Sequence, residues 1–271
     1  MIDLKAVDDQ LKSYVKLKEF PVAVKMLKEG DPEKIRAQYP KAKVPHIDLK
    51  MKLVTCQAMA LVRKYGWELI LGKDDLSCPT GLVTLGFVEM LDSMRKGEEK
   101  VAPLNQEAQA RAKRMEQMPC LPLRHYATLL LAPIQRARFE PDSIVIYGNS
   151  AQVMRLVQGA VFKEGGSLSS ASAGGQGCAQ YLSYPLISKE CRYILPGNGD
   201  RIFGLAGDDQ MVFVMPKEKI NQTLEGLESS HQGGQRYPIP TYLLYEAKMP
   251  SSYRELTDKL LQKTLTRGET P

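Results

Sequence analysis

Histidine is scarce: His46, His125 and His231 are the three in a chain of 271 residues, and they lie far apart. No two of them have the spacing of a metal site, and no Gly-x-Ser-x-Gly elbow occurs, so a hydrolase triad is not supported. Aromatic residues make up only 7% of the chain, with one tryptophan. The net charge of +6 comes from basic residues interspersed with acids, not from a basic block interleaved with aromatics, and we expect no nucleic-acid partner. Long hydrophobic runs are also missing. The longest, around Ala127 to Ile134, is interrupted by Thr128 and Pro133 and falls short of the roughly 18 residues a membrane-spanning helix needs. The first residues carry Asp3, Lys5, Asp8 and Asp9 and lack the apolar segment of a secretory signal. The expectation is a cytoplasmic protein that does not enter a membrane.

What remains is an ordinary globular composition, 43% hydrophobic and 25% charged, with enough length for a sizeable core. Leu4, Val7, Leu11 and Tyr14 have the spacing of an amphipathic helix. Residues 21–27, 126–133, 142–147 and 211–215 read as strands. Gly30-Asp31-Pro32 starts a turn into a short helix, and residues 51–62 form a helix closed by Gly66. Ser77-Cys78-Pro79 is a helix start, with proline where its missing N–H costs nothing. The polar stretch from Arg95 to Gln117 is a solvated helix or excursion. Asn149-Ser-Ala-Gln152 joins a strand to the helix through Phe162, the arrangement of a unit whose loop faces a ligand. A helix follows Pro216, and Ser252 with Glu255 is a capping box for a last amphipathic helix. No repeat or low-complexity linker divides the chain. We expect a single α+β domain over 1–271, with a mixed β-sheet, flanking helices and glycine-rich loops, and with a strand and helix at 237–266.

Five cysteines stand out, and no Cys-x-x-Cys is among them. Packing in a core is the default for each, because a free thiol behaves as a small hydrophobe. Cys120 and Cys191 fit that reading. Cys78 and Cys178 sit where a turn enters a helix, and backbone N–H groups there lower a thiol's pKa and favour an anionic ligand. Their spacing does not decide between a reactive thiol, a metal ligand and packing. The stretch Gly165 to Gly177 holds five glycines and four serines. It matches neither the phosphate-binding loop nor the dinucleotide fingerprint, so it is either a ligand cradle or a surface loop. Asp200 and Arg201, after Gly197-Asn-Gly199, form either a turn with its ion pair or a contact to an anion.

In combination these pieces resemble the uncharacterised prokaryotic family known as domain of unknown function 169, from Leu11 to Leu227. The pieces are Pro21-Val-Ala-Val24, Cys56, Ser77-Cys78-Pro79 with Gly81 and Gly86, and Ala132-Pro133. They continue through Asn149-Ser-Ala-Gln152 with Arg155, the stretch ending at Cys178, and Pro196-Gly-Asn-Gly-Asp-Arg201. Ser150 stands where the family pattern often has proline. The resemblance names no reaction. It implies that Cys56, Cys78 and Cys178 belong to the shared pattern and Cys120 does not. Three thiolates suit a [4Fe-4S] cluster with one iron open to another ligand, and Cys191 is a candidate fourth. The expectation is an iron–sulfur protein of anaerobic or redox metabolism. Its loops at Asn149, Gln152, Arg155, Gly174, Gly175, Gly177, Asp200 and Arg201 would bind a small anionic ligand, with Arg155 or Arg201 neutralising its charge. An electron-transfer partner would serve instead if the cluster only carries electrons. The alternative is a metal-free thiol enzyme, or a flavin- or nucleotide-binding protein using the Gly/Ser loop. The Tyr242–Tyr245 segment and the last helix suggest a homodimer interface.

Overall fold

Six strands form one sheet in the order β2-β3-β1-β4-β6-β5. They are β1 (Val22–Leu27), β2 (Leu69–Leu71), β3 (Thr128–Pro133), β4 (Ser143–Asn149), β5 (Arg192–Ile194) and β6 (Gln210–Pro216). The computed structural model describes residues 2–30, 32–100, 105–241 and 247–265. Met1–Tyr237 make one compact unit and Pro238–Pro271 a second. The fold class is α+β, as the alternation of strands and helices suggests, but the sheet is not mixed. All five neighbouring strand pairs are antiparallel, and parallel pairing is confined to isolated bridges at Lys43–Leu69 and Leu53–Leu76. The reason lies in the connections. The helix after β4 does not return the chain to a parallel neighbour; β5 and β6 follow it as an antiparallel pair, and β6 takes the place beside β4.

Alternation along the strands divides the core into two layers. Val22, Val24, Leu129, Leu131, Val145, Tyr147, Val212 and Val214 face one side, against Ala58, Met59 and Val62 of the Thr55–Tyr65 helix and against Cys178, Tyr181 and Leu182. Ile144, Ile146, Phe213 and Met215 face the other, under Val7 and Leu11, Val153 and Leu156, and Leu224 and Leu227. Those three pairs come from the helices Leu4–Tyr14, Ser150–Val161 and Ile220–Gln232. Gly66 closes the Thr55–Tyr65 helix in the left-handed conformation, at φ 70°. No helix among the described residues is long and apolar enough to cross a membrane.

The helices Ser150–Val161 and Ile220–Gln232 touch through bare backbone. A Cβ on Gly226 would lie 2.1 Å from the Gly159 carbonyl oxygen, closer than any packed atom pair allows. Helix propensity alone favours alanine over glycine by about 1 kcal/mol. Here overpacking outweighs it, and Gly226→Ala is expected to destabilise the fold by about 2 kcal/mol. A denaturant midpoint that stays level or rises would refute this close approach.

In the second unit, the helix Ser251–Leu265 starts one residue before the Ser252 cap read from the sequence, and Tyr253, Leu256, Leu260 and Leu261 are exposed. The Tyr242–Tyr245 segment and Asp31 lie outside the described residues.

Candidate functional site

Two short backbone contacts bring cysteines distant in sequence together. Leu53 N–H donates to the Asp75 carbonyl at 2.8 Å and Ser77 N–H donates to the Leu53 carbonyl at 3.0 Å. This lays the segment entering the Thr55–Tyr65 helix beside the one entering the helix Pro79–Thr84. Gly81 permits the contact, since a Cβ there would stand 2.1 Å from Thr55 Oγ1. Cys56 in the first turn of one helix and Cys78 at the cap of the other thus reach the same cavity. Cys78 Sγ also accepts the Gly81 N–H at 3.4 Å. Cys178 arrives from the far side of the glycine-rich stretch, where the chain winds into a π-helical turn over Ala179–Ser183, a feature frequent at functional sites.

The cavity measures about 230 Å³, and Cys56, Cys78, Cys178, Gly175, Gly177 and Asp200 are part of its wall. Asp200 is 3% exposed. It accepts from Tyr181 Oη at 2.8 Å, from Gly197 N–H at 3.0 Å and from Tyr147 Oη at 3.4 Å. A Cβ on Gly177 would fall 2.2 Å from Asp200 Oδ2, so glycine is needed for the two segments to meet. Behind Tyr147, Arg63 is 1% exposed and holds its guanidinium 4.1 Å from the ring centre. It donates to Glu19 and to the Gly204 carbonyl, and the latter ties the segment carrying Asp200 to the helix carrying Cys56.

Burial dominates the acidities in this cavity. Burial pushes the Cys56 thiol up to about 12, with Asp200 and Cys78 adding to the effect. Burial likewise raises Cys178 well above its ordinary value, with Cys78, Asp200 and Cys56 contributing. It raises the Asp200 carboxyl too, against the hydrogen bonds from Tyr181, Gly197 and Tyr147. The Cys56 and Cys178 thiols are thus held protonated at neutral pH, the reverse of a thiolate poised for attack. Among the described residues no group of three or more His, Cys, Asp or Glu is arranged to hold a metal ion.

Arg111 and Arg114 line the cavity too, from the helix Ala108–Glu116, within the polar stretch expected to be only solvated. Arg111 Nε donates to the Gly97 carbonyl at 2.6 Å, and Arg114 Nη1 to Asn105 Oδ1 at 3.4 Å. Arg114 Nε is buried with no partner, and burial lowers the guanidinium's pKa. No local sequence signal marks this wall: Met115 lies within the polar run, and Met94 and Met118 flank it. Met94 and Met115 line the cavity, whereas Met94 and Met118 pack with Cys120.

A model of the uncharacterised ArCR family, domain of unknown function 169, matches residues 10–226. The chain belongs to this family. The span of domain of unknown function 169 contains every cavity residue named above and ends inside the Ile220–Gln232 helix. An uncharacterised protein of Methanocaldococcus jannaschii is 27% identical over 180 residues, covering 65% of this chain and 77% of its own. No solved structure matches.

The other expected site residues lie elsewhere in this family domain. Asn149 and Gln152 cap the Ser150–Val161 helix reciprocally, at 2.8 and 2.9 Å, and Gln152 Nε2 donates to the Lys16 carbonyl at 2.9 Å. Arg155, 1% exposed, donates to Gln158 Oε1 at 2.5 Å and to Ser230 Oγ at 3.0 Å, linking two helices. Arg201 donates to the Gly207 carbonyl at 2.7 Å. Gly174, at φ +68°, has no neighbour in reach of a Cβ. None of these five is part of the cysteine cavity's wall. Cys191 lies in the core layer on the other face of the sheet, with Sγ 3.8 Å from Thr223 Oγ1. Cys120 is half-buried, 3.4 Å from the Met118 carbonyl oxygen.

Proposed function

We propose that the cavity is an iron–sulfur site in which Cys56, Cys78 and Cys178 hold a [4Fe-4S] cluster with one iron open to a small anionic ligand. The observation that carries this reading is the convergence of three cysteines from three separate segments on one cavity. Cysteines serving only to pack would be dispersed, as Cys120 and Cys191 are. The raised thiols are in keeping with it: burial, with Asp200 adding to it, disfavours the bare thiolates of Cys56 and Cys178, and a bound metal would supply the charge that favours them. Gly175 and Gly177 bare backbone beside Cys178, and backbone N–H groups stabilise thiolate sulfur.

The bound cluster would supply an electron or a Lewis-acidic iron. The chain's own residues do the rest. Arg111 and Arg114 line the same cavity as the thiols and would orient an anion there, a role the sequence reading gave to Arg155 or Arg201. Asp200, held by Tyr181 and Tyr147, is the acid within the same wall. We further infer a reducing, cytoplasmic location, where free thiols persist, and a redox role in which an electron-transfer partner or a second copy of the chain docks at the surface.

Purification under exclusion of oxygen, followed by iron and sulfide analysis and a visible spectrum, tests this. Brown protein with iron and acid-labile sulfide is expected. Colourless, iron-free protein prepared that way would overturn the reading. Rapid alkylation of Cys78 or Cys178 in such protein near neutrality would favour a metal-free thiol enzyme.

A further inference from the structure

A second pocket, sharing no residue with the cysteine cavity, surrounds a histidine held by a buried acid. Asp75 is fully buried and ends the short turn Lys73–Asp75. Its Oδ2 accepts the Gly72 N–H at 2.8 Å, and its Oδ1 accepts the His46 backbone N–H at 2.9 Å and lies 2.8 Å from His46 Nδ1. A carboxylate oxygen can only accept, so the ring proton sits on Nδ1 and the ring is fixed in one orientation. Nε2 is then the nitrogen left for the pocket, and no hydrogen bond engages it among the described residues. The imidazole remains 36% accessible.

The pocket has a volume of about 380 Å³ and is also lined by Lys73, Asp74, Arg124 and Tyr126. Neither Lys73 nor Arg124 has an ion-pair partner among the described residues, although basic side chains elsewhere do, at Lys25–Asp142 and Arg36–Asp48. Arg124 is held on a backbone at φ 55°, unusual for a side chain with a Cβ. One ammonium, one guanidinium and one oriented imidazole thus line a single concavity, against the single exposed carboxylate of Asp74. A singly protonated phosphoryl group can accept from the ammonium and the guanidinium and donate its hydroxyl to the unprotonated Nε2; an ionised carboxylate only accepts and has no proton to offer Nε2. The volume exceeds what a phosphoryl group alone would fill and lies within the range of small-ligand sites.

We propose that this pocket binds the phosphoryl group of a small phosphorylated ligand through His46, Lys73 and Arg124, with Asp75 as the residue that positions the imidazole. The site is independent of the iron–sulfur reading and can be tested whether or not the protein holds iron. Only three histidines must be assigned, so long-range proton–nitrogen correlation spectra of the full chain read His46 directly. The expected result is an Nδ1–H tautomer for His46 and a saturable shift of its Nε2 resonance with inorganic phosphate, absent with sodium chloride at equal ionic strength. A phosphate monoester such as glycerol phosphate is expected to act the same way, and tighter binding of either one identifies the source. Arg124→Gln, at an exposed position, should weaken phosphate binding by about tenfold or more while leaving the His46 tautomer unchanged. A proton on Nε2 in the free protein, or a His46 signal indifferent to both phosphates at millimolar concentration, would overturn the proposal.

Discussion

Serine in place of Cys56, Cys78 or Cys178 is expected to abolish tight iron binding in anaerobically prepared protein, whereas Cys120→Ser and Cys191→Ser should retain the full iron content. The division follows from position. The first three line one cavity, while Cys120 packs among methionines and Cys191 lies across the sheet. Groups that merely orient a metal ligand cost about 10- to 100-fold in affinity when removed. Loss of a thiolate bound directly to iron should exceed that, because the hydroxyl of serine stays protonated where the thiol yields its proton to the metal. Iron and sulfide analysis, with unfolding curves for each variant, separates ligand loss from misfolding. Undiminished iron in all three variants would remove the basis for assigning the cluster to these residues.

Arg63→Met should cost about 3–5 kcal/mol of folding stability, the usual result of breaking a buried ion pair from one side. Arg63 is 1% exposed and Glu19 nearly buried; the substitution leaves Glu19 with Lys64 at 2.7 Å and Gln210 at 3.0 Å, and strands the Gly204 carbonyl. The cation over the Tyr147 ring disappears as well. Since Gly204 anchors the segment carrying Asp200, the variant should also loosen the cysteine cavity. The same pair sets an acid limit. Burial alone would raise Glu19, but the hydrogen bond from Lys64 and the charge of Arg63 outweigh it and hold the carboxyl below its ordinary value of 4.5. A depressed carboxyl contributes stability above pH 4.5 that is lost as pH falls through the folded-state value. The stability gap between the wild type and Glu19→Gln should therefore narrow below that pH. Denaturant unfolding across the acid range measures it, and a gap of constant size would contradict the assignment.

Local chemistry made most of the elements legible. The strands β1, β3, β4 and β6 and the helices around Cys56 and after Asn149 follow from periodicity and caps that act within a few residues. The strands β2 and β5 were not legible. They are three residues long, too short for alternation to show, and they exist because a neighbouring strand offers them hydrogen bonds. The antiparallel sense of the sheet escaped the sequence reading for a related reason: β1 is inserted between β3 and β4, and pairing between distant segments leaves no local mark.

The cavity wall divides the same way. Cys78 and Cys178 could be singled out because cysteines at helix starts are unusual in themselves, Gly175, Gly177 and Asp200 because they lie in glycine-rich turns, and Cys56 only through the family resemblance. Asn149, Gln152 and Arg155 looked similar on the chain, yet they satisfy a helix end and a helix pair, since a polar side chain takes whichever partner packing brings near. Arg111, Arg114, Tyr147, Tyr181 and Arg63 carried no local signal of a site.

By itself, the sequence determined an α+β chain with no long apolar span, and it set Cys78 and Cys178, at helix starts, apart from Cys120 and Cys191, with Cys56 joining the first pair through the family resemblance. Those are properties of composition and short-range order. Only the tertiary structure decided that three cysteines share a cavity, that two arginines from a helix that reads as solvent-exposed line it with them, and that His46 meets Asp75. These depend on backbone contacts such as Leu53 with Asp75 and Gly81 with Thr55. Their stability comes from the folded core around them, so no segment of the chain encodes them alone.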